Sequence, residues 1–481
     1  MSLKYDLIIK NAAVIDGTGA KTYNADVAIL DDKITAIGSL NEFESRRLID
    51  ASGFVLAPGF IDVHTHDDTN VIRTPNMLSK ISQGVTSVIV GNCGISASPV
   101  TLGGDPPDPM NLLGGRQDFI YPTFKHYVAA VEQVQPRVNV AALVGHTALR
   151  SNHLKDIFQP ASESEIAVMS EQLNQAMSQG ALGLSSGLAY ASAKQAPMAE
   201  VKALVKELAK HNGIYSTHMR TEFDAIIDAM NEAFETAEYG KVPLIISHLK
   251  CAGAGNWGRT TETLTLLEEK SKTQKVACDC YPYSASSSTL DLKQVTSDFD
   301  IYITWSDSEP DMAGKLLAEI AELWNLSLID AAKRLQPAGA VYHGLHPDDV
   351  KRVLKYKHTM IGSDGLPNDP HPHPRLWGTF PRVLGFYSRE EALFELPEAV
   401  HKMTGLSASE YHLANRGEIQ IGNYADLVLF NAKTIRDKAT FEDPIQKSLG
   451  IEKVWVNGQL SYHKGQITET RHGRFLRRVQ Q

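Results

Sequence analysis

Cysteine is scarce in this chain of 481 residues, with Cys93, Cys251, Cys278 and Cys280 as the full complement. Four scattered thiols do not make a disulfide scaffold, so a reducing compartment, the cytoplasm, is the expected setting. Positive charge is short as well. There are 47 Lys and Arg against 56 Asp and Glu, a formal net charge of −9, which leaves no electrostatic footprint for nucleic acid. The one basic cluster, Arg471 to Arg478, reads as a solvated end. No run of ~18 apolar residues occurs, so no membrane span is expected. Met1 to Lys10 alternate polar and apolar types toward Asp16-Gly17, which reads as a strand and turn and not as a signal peptide. Internal repeats and low-complexity tracts are also missing. What is there is an ordinary globular composition, 43% hydrophobic and 21% charged, in a chain long enough for more than one domain.

The pattern changes along the chain. Residues 1–56 hold short alternating runs such as Asp26-Val27-Ala28-Ile29-Leu30, separated by Gly, Asn and Asp. Residues 415–481 repeat the style, with Ala425-Asp426-Leu427-Val428-Leu429-Phe430 and a hairpin signal at Asn457-Gly458. Neither end has enough strands for a core of its own, so the two are expected to pair into one small β-domain. Between them, over 57–414, candidate strands alternate with helical stretches at 163–179, 200–212 and 223–239. The strands are expected at 55–64, 85–91, 138–144, 181–186, 214–219, 244–249, 276–283 and 359–363. About eight β/α units argue for an α/β fold, a TIM (β/α)8 barrel. Two connections are long. The second, 284–357, has helical patterns around 311–324 and 327–335, and residues 285–345 read as an inserted lid.

The most informative stretch is Pro58-Gly59-Phe60-Ile61-Asp62-Val63-His64-Thr65-His66. Side chains two apart on a strand point the same way, so His64 and His66 can grip one metal ion. Other candidate strands close similarly, in Gly91-Asn92-Cys93, Ser216-Thr217-His218, Ser247-His248-Leu249-Lys250 and Ser363-Asp364-Gly365. Singly, a cysteine is a small buried hydrophobe, a histidine a hydrogen-bonded core residue, and an aspartate before glycine a turn. Together, four histidines, a thiol and a carboxylate meet at the barrel end where active sites lie, and all three groups are zinc ligands.

These residues carry a resemblance. The chain is similar to the amidohydrolase superfamily and, within it, to the N-acyl-D-amino-acid deacylases, or D-aminoacylases. The carriers are Ala57 through His66, Gly91-Asn92-Cys93-Gly94, Thr217-His218-Met219-Arg220, Tyr281-Pro282-Tyr283 and Ile361 through Pro367. His373 through Gly385 and Tyr424-Ala425-Asp426-Leu427-Val428 complete the set. The first motif marks the superfamily; the cysteine and the stretch from His373 mark the deacylase branch. Hydantoinase-like relatives place a carboxylated lysine between two metals. Here the third and fourth candidate strands end in Gly145-His146 and Ser185-Ser186, with no lysine.

The resemblance implies a zinc-dependent hydrolysis that converts an N-acyl-D-amino acid into a carboxylic acid and a free D-amino acid. It implies Cys93, His218 and His248 as the tight zinc position, and His64, His66 and Asp364 as a second position left open to weak occupancy. Asp364 is implied as the proton carrier. Lys250, Tyr281 and Arg375 are implied to hold the substrate α-carboxylate, with Ser287 and Tyr190 as further substrate-binding residues. Cys278 and Cys280 are expected to face away from the site, and His371 and His373 to belong to a rigid proline-bounded loop. The small-molecule substrate is the partner implied, and residues 284–295 of the lid are expected to set side-chain preference. Two other readings stand beside this one. The first is another amidohydrolase activity, such as a D-dipeptidase or hydantoinase. The second is a catalytically silent barrel, which would be expected to lose ligands, whereas all six are present here.

Overall fold

In the computed structural model, which describes residues 4–478, eight parallel strands close a barrel among the described residues. They are Phe60–Asp62, Val85–Val90, a third strand in two pieces (Asn139–Ala142 and Val144–Gly145), Gly183–Gly187, Ile214–His218, Leu244–Ile246, Val276–Cys280 and Thr359–Ile361. The third strand changes partner at its break: the first piece pairs with Val85–Val90, the second with Gly183–Gly187. Beyond the last strand, Thr65 and Gly365 bridge in parallel. The Asp364 amide donates to the His64 carbonyl at 2.7 Å, closing the ring. Side chains alternate as the two-residue period requires. Ile61, Ile89, Ala141, Ile245, Ala277 and Met360 fill the interior. Phe60, Val88, Val90, Cys278 and Cys280 face the helix layer, so both cysteines point away from the site as expected.

The expected strand 55–64 is two strands. Val55–Pro58 runs antiparallel to Leu427–Phe430 in the sheet that joins both ends of the chain, and Phe60–Asp62 opens the barrel. Gly59 allows the turn between them, since a Cβ there would lie 2.2 Å from the Thr86 side chain. The N-terminal strand begins at Lys4; Met1 to Leu3, part of the alternating run, lie outside the described residues. The helices fall at Glu163–Ser178, Met198–Leu208 and Ile226–Gly240, the first started by a Ser162–Glu165 capping box. No helix among the described residues is long and apolar enough to cross a membrane.

Two expectations change. The basic tail is not a solvated end. Phe475 is buried, the Leu476 amide donates to the Val140 carbonyl at 2.7 Å, and Arg474 pairs with Asp32 at 2.6 Å. The apolar Phe475 and Leu476 set among the arginines anchor it. The inserted segment carries a three-stranded antiparallel sheet in addition to its helices, in the order Ser286–Thr289, Ala338–Tyr342, Ile301–Ser306. Helices Leu317–Trp324 and Leu328–Leu335 complete it, and Ile303, Ile320 and Leu335 are part of its own core.

Candidate metal centre

Five of the six candidate ligands lie past the ends of regular strands, and backbone geometry turns them inward. Only His218 is the last residue of its strand. Cys93, His248 and Asp364 hold left-handed φ values of 53°, 36° and 48°. Such values are rare outside glycine and concentrate at functional sites. For His248 the kink decides the outcome. Leu244 and Ile246 share its parity and face the helix layer, so an unbroken strand through 249 would aim the imidazole away from the mouth. The strand instead ends at Ile246, and the left-handed turn returns His248 to the barrel axis.

The side chains converge on the thiol of Cys93. Its Sγ lies 3.2 Å from His64 Nε2 and 3.3 Å from His248 Nε2. Asp364 Oδ1 lies 3.1 Å from His66 Nε2 and 3.5 Å from His64 Nε2. Two overlapping groups result, His64–His66–Cys93–Asp364 and Cys93–His218–His248, each with ligand atoms within 4.8 Å of one another. Cys93 belongs to both. The electrostatics favour a cation. Burial opposes ionisation of Cys93, yet His64 and His248 outweigh it and hold the thiol well below its ordinary value. Burial likewise opposes charge on His66, but Asp364 and Cys93 raise its pKa to about 9. A buried pocket in which a thiolate and a carboxylate draw protons onto imidazoles is one that a divalent ion can occupy in the protons' place. A donor set of sulfur, nitrogen and oxygen is a zinc set.

Beside the ligands lies a cationic cradle. Arg375 Nη2 donates to Asp364 Oδ2 at 3.0 Å and to the Ser287 carbonyl at 3.2 Å. Its guanidinium stacks over the Tyr281 ring at 4.5 Å. Arg375 Nε and Nη1, Tyr281 Oη and Ser287 Oγ are buried without a hydrogen-bond partner in the protein. Lys250 Nζ is 5.7 Å from the same ring, in the segment beyond the strand end at Ile246. The Tyr190 ring sits 4.8 Å from that of His218. The structure thus brings together all the sequence-derived site residues. It leaves others out. His146 is bound to Glu200 at 2.9 Å and Arg220 to Glu232 at 2.6 Å. His371 and His373 hydrogen-bond to the Phe441 and Ala285 carbonyls at 2.6 and 3.1 Å. Tyr283 packs on His373 at 5.2 Å and under Arg382 at 4.8 Å.

A family model described as "Amidohydrolase family" matches residues 47–462. D-aminoacylase of Alcaligenes xylosoxydans xylosoxydans is 43% identical over 478 residues, 99% of each chain. The N-acyl-D-glutamate deacylase of the same organism is 42% identical, covering 99% of this chain and 98% of its own. The chain belongs to the amidohydrolases, in the D-aminoacylase family. Its fold agrees with the N-acyl-D-glutamate deacylase of Bordetella bronchiseptica, solved with zinc and a phosphonate mimic of the tetrahedral intermediate. The TM-score is 0.96 at 41% identity, covering 99% of this chain and 100% of that one.

Three further residues of this amidohydrolase support the site and were assigned no role from sequence. Asp279 accepts from His64 Nδ1 at 3.1 Å and from the His248 amide at 3.0 Å. Its position two before Tyr281, on the same strand face, was the available signal. Lys80 is wholly buried, donating to Asp62 at 2.9 Å and to Thr65 and Ser363 at 2.8 Å. It ties the histidine segment to the aspartate segment. Burial opposes its charge, yet Asp62 and Asp67 outweigh it and raise its pKa. Glu222 lies against His248 and Lys250. Nothing in the sequence marks the last two.

Proposed function

We propose that this protein hydrolyses the amide bond of N-acyl-D-amino acids in a zinc-dependent reaction, releasing a carboxylic acid and a free D-amino acid. One observation carries the reading: a thiolate–imidazole–carboxylate group and a cradle of unsatisfied buried donors share one barrel mouth. A substrate with an amide next to a carboxylate fits both halves at once. End-to-end similarity to D-aminoacylase supports the same chemistry.

In this reading Cys93, His218 and His248 hold the tight zinc, and His64, His66 and Asp364 form the second position. What zinc supplies there is Lewis acidity toward the amide carbonyl and acidification of water to near neutrality. Asp364 moves the proton. Burial works against its charge, but Arg375 and His64 hold its pKa well below the usual carboxylate range, so it starts as a base. It accepts the proton of the attacking water and passes it to the leaving nitrogen as the C–N bond breaks. Arg375 and Tyr281 donate to the α-carboxylate, joined by Ser287 and Lys250, which fixes the substrate in register with Asp364. Tyr190, beside His218, faces the reacting amide. The four cysteines are all free and buried, which supports a reducing cytoplasm as the setting.

Free amine release from N-acetyl-D- and N-acetyl-L-methionine, -leucine and -glutamate tests the proposal. D-selective release is expected, and the ranking of side chains follows from the same assay. Equal hydrolysis of both enantiomers would remove the D preference, and no hydrolysis of either would move the activity to another amide substrate such as a dipeptide or a hydantoin.

A further inference from the structure

The ligand His248 and the cation Lys250 are two residues apart, and their side-chain nitrogens nearly touch. Lys250 Nζ lies 2.8 Å from His248 Nδ1 and donates to the His248 carbonyl at 3.0 Å. Left to themselves, these two groups would settle on one arrangement. The ammonium has only protons to give, so imidazole Nδ1 would accept one as a hydrogen bond. The ring proton of neutral His248 would then sit on Nε2, the atom that faces Cys93 Sγ at 3.3 Å. A protonated Nε2 cannot bind a metal.

Glu222 prevents this. It stands in the loop after the fifth barrel strand, buried to 7% exposure, with its backbone carbonyl fixed by the Ala252 amide at 2.8 Å. Its Oε1 lies 2.9 Å from His248 Nδ1 and 2.6 Å from Lys250 Nζ. One carboxylate oxygen takes both donors. Nδ1 then carries the ring proton and Nε2 keeps its lone pair for the metal. The other histidines differ. His64 has Asp279 on Nδ1 and no lysine within hydrogen-bond distance, whereas His66 and His218 have no protein partner on Nδ1. His248 is the ligand with a competing cation beside it, and it is the one given a shared carboxylate.

We propose that Glu222 is a positioning residue that holds His248 in its metal-binding tautomer against Lys250, so that the carboxylate-binding lysine can stand beside a metal ligand. The inference rests on the assignment of His248 as a ligand and Lys250 as a substrate cation made above.

The test is zinc retention against a chelator, followed on zinc-loaded full-length protein, with no substrate present. E222A is expected to lower zinc affinity about 10–100-fold. E222Q, whose amide oxygen still accepts from Nδ1–H, is expected to stay within about threefold of the parent. The deciding variant is E222A/K250M. With the competing donor gone, His248 regains its tautomer, and affinity is expected to recover at least about threefold over E222A. Zinc affinity in E222A equal to the parent's, or a double variant no better than E222A, would overturn the proposal. If E222A does not fold, E222M/K250M is compared with K250M. A difference below about tenfold is expected, and a larger one would show that Glu222 acts independently of Lys250. Because zinc is the readout, a failure here leaves D-selective hydrolysis standing. Zinc behaviour as expected without D-selective hydrolysis would overturn only the substrate assignment.

Discussion

Tyr281→Phe separates the substrate role of the cradle from its packing role, because the two should respond with opposite signs. The Tyr281 ring is 2% exposed and lies under the Arg375 guanidinium at 4.5 Å. Phenylalanine keeps that ring and its contact with the cation. Only the hydroxyl goes, and Tyr281 Oη has no hydrogen-bond partner in the protein. A buried, unmatched hydroxyl costs about 1–3 kcal/mol of desolvation, so its removal should leave stability unchanged or raise it by up to that amount. In a chain of this size, 1 kcal/mol moves the melting temperature by about 1–2 °C. Catalysis should go the other way. The hydroxyl donates to a carboxylate, and a hydrogen bond to a charged group is worth about 1.5–3 kcal/mol. At about 1.4 kcal/mol per factor of ten, kcat/KM should fall by about ten- to a hundredfold, chiefly through KM. Thermal denaturation without substrate and initial rates of amine release give the two numbers. A variant that loses stability and activity together would show that Tyr281 is structural. Full activity would show that its hydroxyl does not reach the substrate.

Asp364→Asn keeps the shape of the side chain and removes the base; kcat is expected to fall by about 10²–10⁴ while zinc per chain, held through Cys93, stays the same. Retained turnover would end its assignment as proton carrier. Lys80→Met strands Asp62 and Asp67 in the interior, and a loss of about 3–5 kcal/mol in urea unfolding is expected; a loss under about 1 kcal/mol would mean that the buried ion network does not hold the site segments. Glu200 supplies a pH prediction. Burial raises its pKa, but His146 and Arg150 outweigh this and bring it to about 2. A carboxylate depressed from its unfolded value of about 4.3 stabilises the fold fully above that value. The contribution, on the order of 2–3 kcal/mol, is lost as pH falls toward 2. The stability gap between the parent and Glu200→Gln should therefore narrow from pH 7 to pH 3.5, and a constant gap would contradict the assignment.

The barrel was legible because its strands are apolar runs that end in chemistry-bearing residues, and for three of the six candidate ligands the two-residue period also gives the inward direction. Cys93, His218 and Asp364 have the parity of the inward side chains Ile89, Ile214 and Met360, so the sequence pattern reaches them directly. His248 was found by residue type alone. Its parity is wrong, and a left-handed backbone that no local signal announced corrects it. The sheet of the 285–345 segment was hidden because Ser286-Ser287-Ser288-Thr289 has no apolar alternation, and Ala338–Tyr342 begins Ala-Gly-Ala. Lys80 and Glu222 carry no signal in the local sequence. What buries them is long-range: Ser363, a partner of Lys80, is 283 residues away, and Lys250, a partner of Glu222, is 28 away. The tail misled for the opposite reason, since its charge count outweighed the two apolar residues that anchor it.

The most direct test titrates metal-free protein with zinc while following amine release from N-acetyl-D- and N-acetyl-L-amino acids on the same sample. Activity on the D series alone should rise to a plateau near one zinc per chain, and the Cys93→Ser variant should stay flat. D-selective hydrolysis that persists without zinc, or that is untouched by loss of the Cys93 thiol, would contradict the metal centre on which the proposed reaction depends.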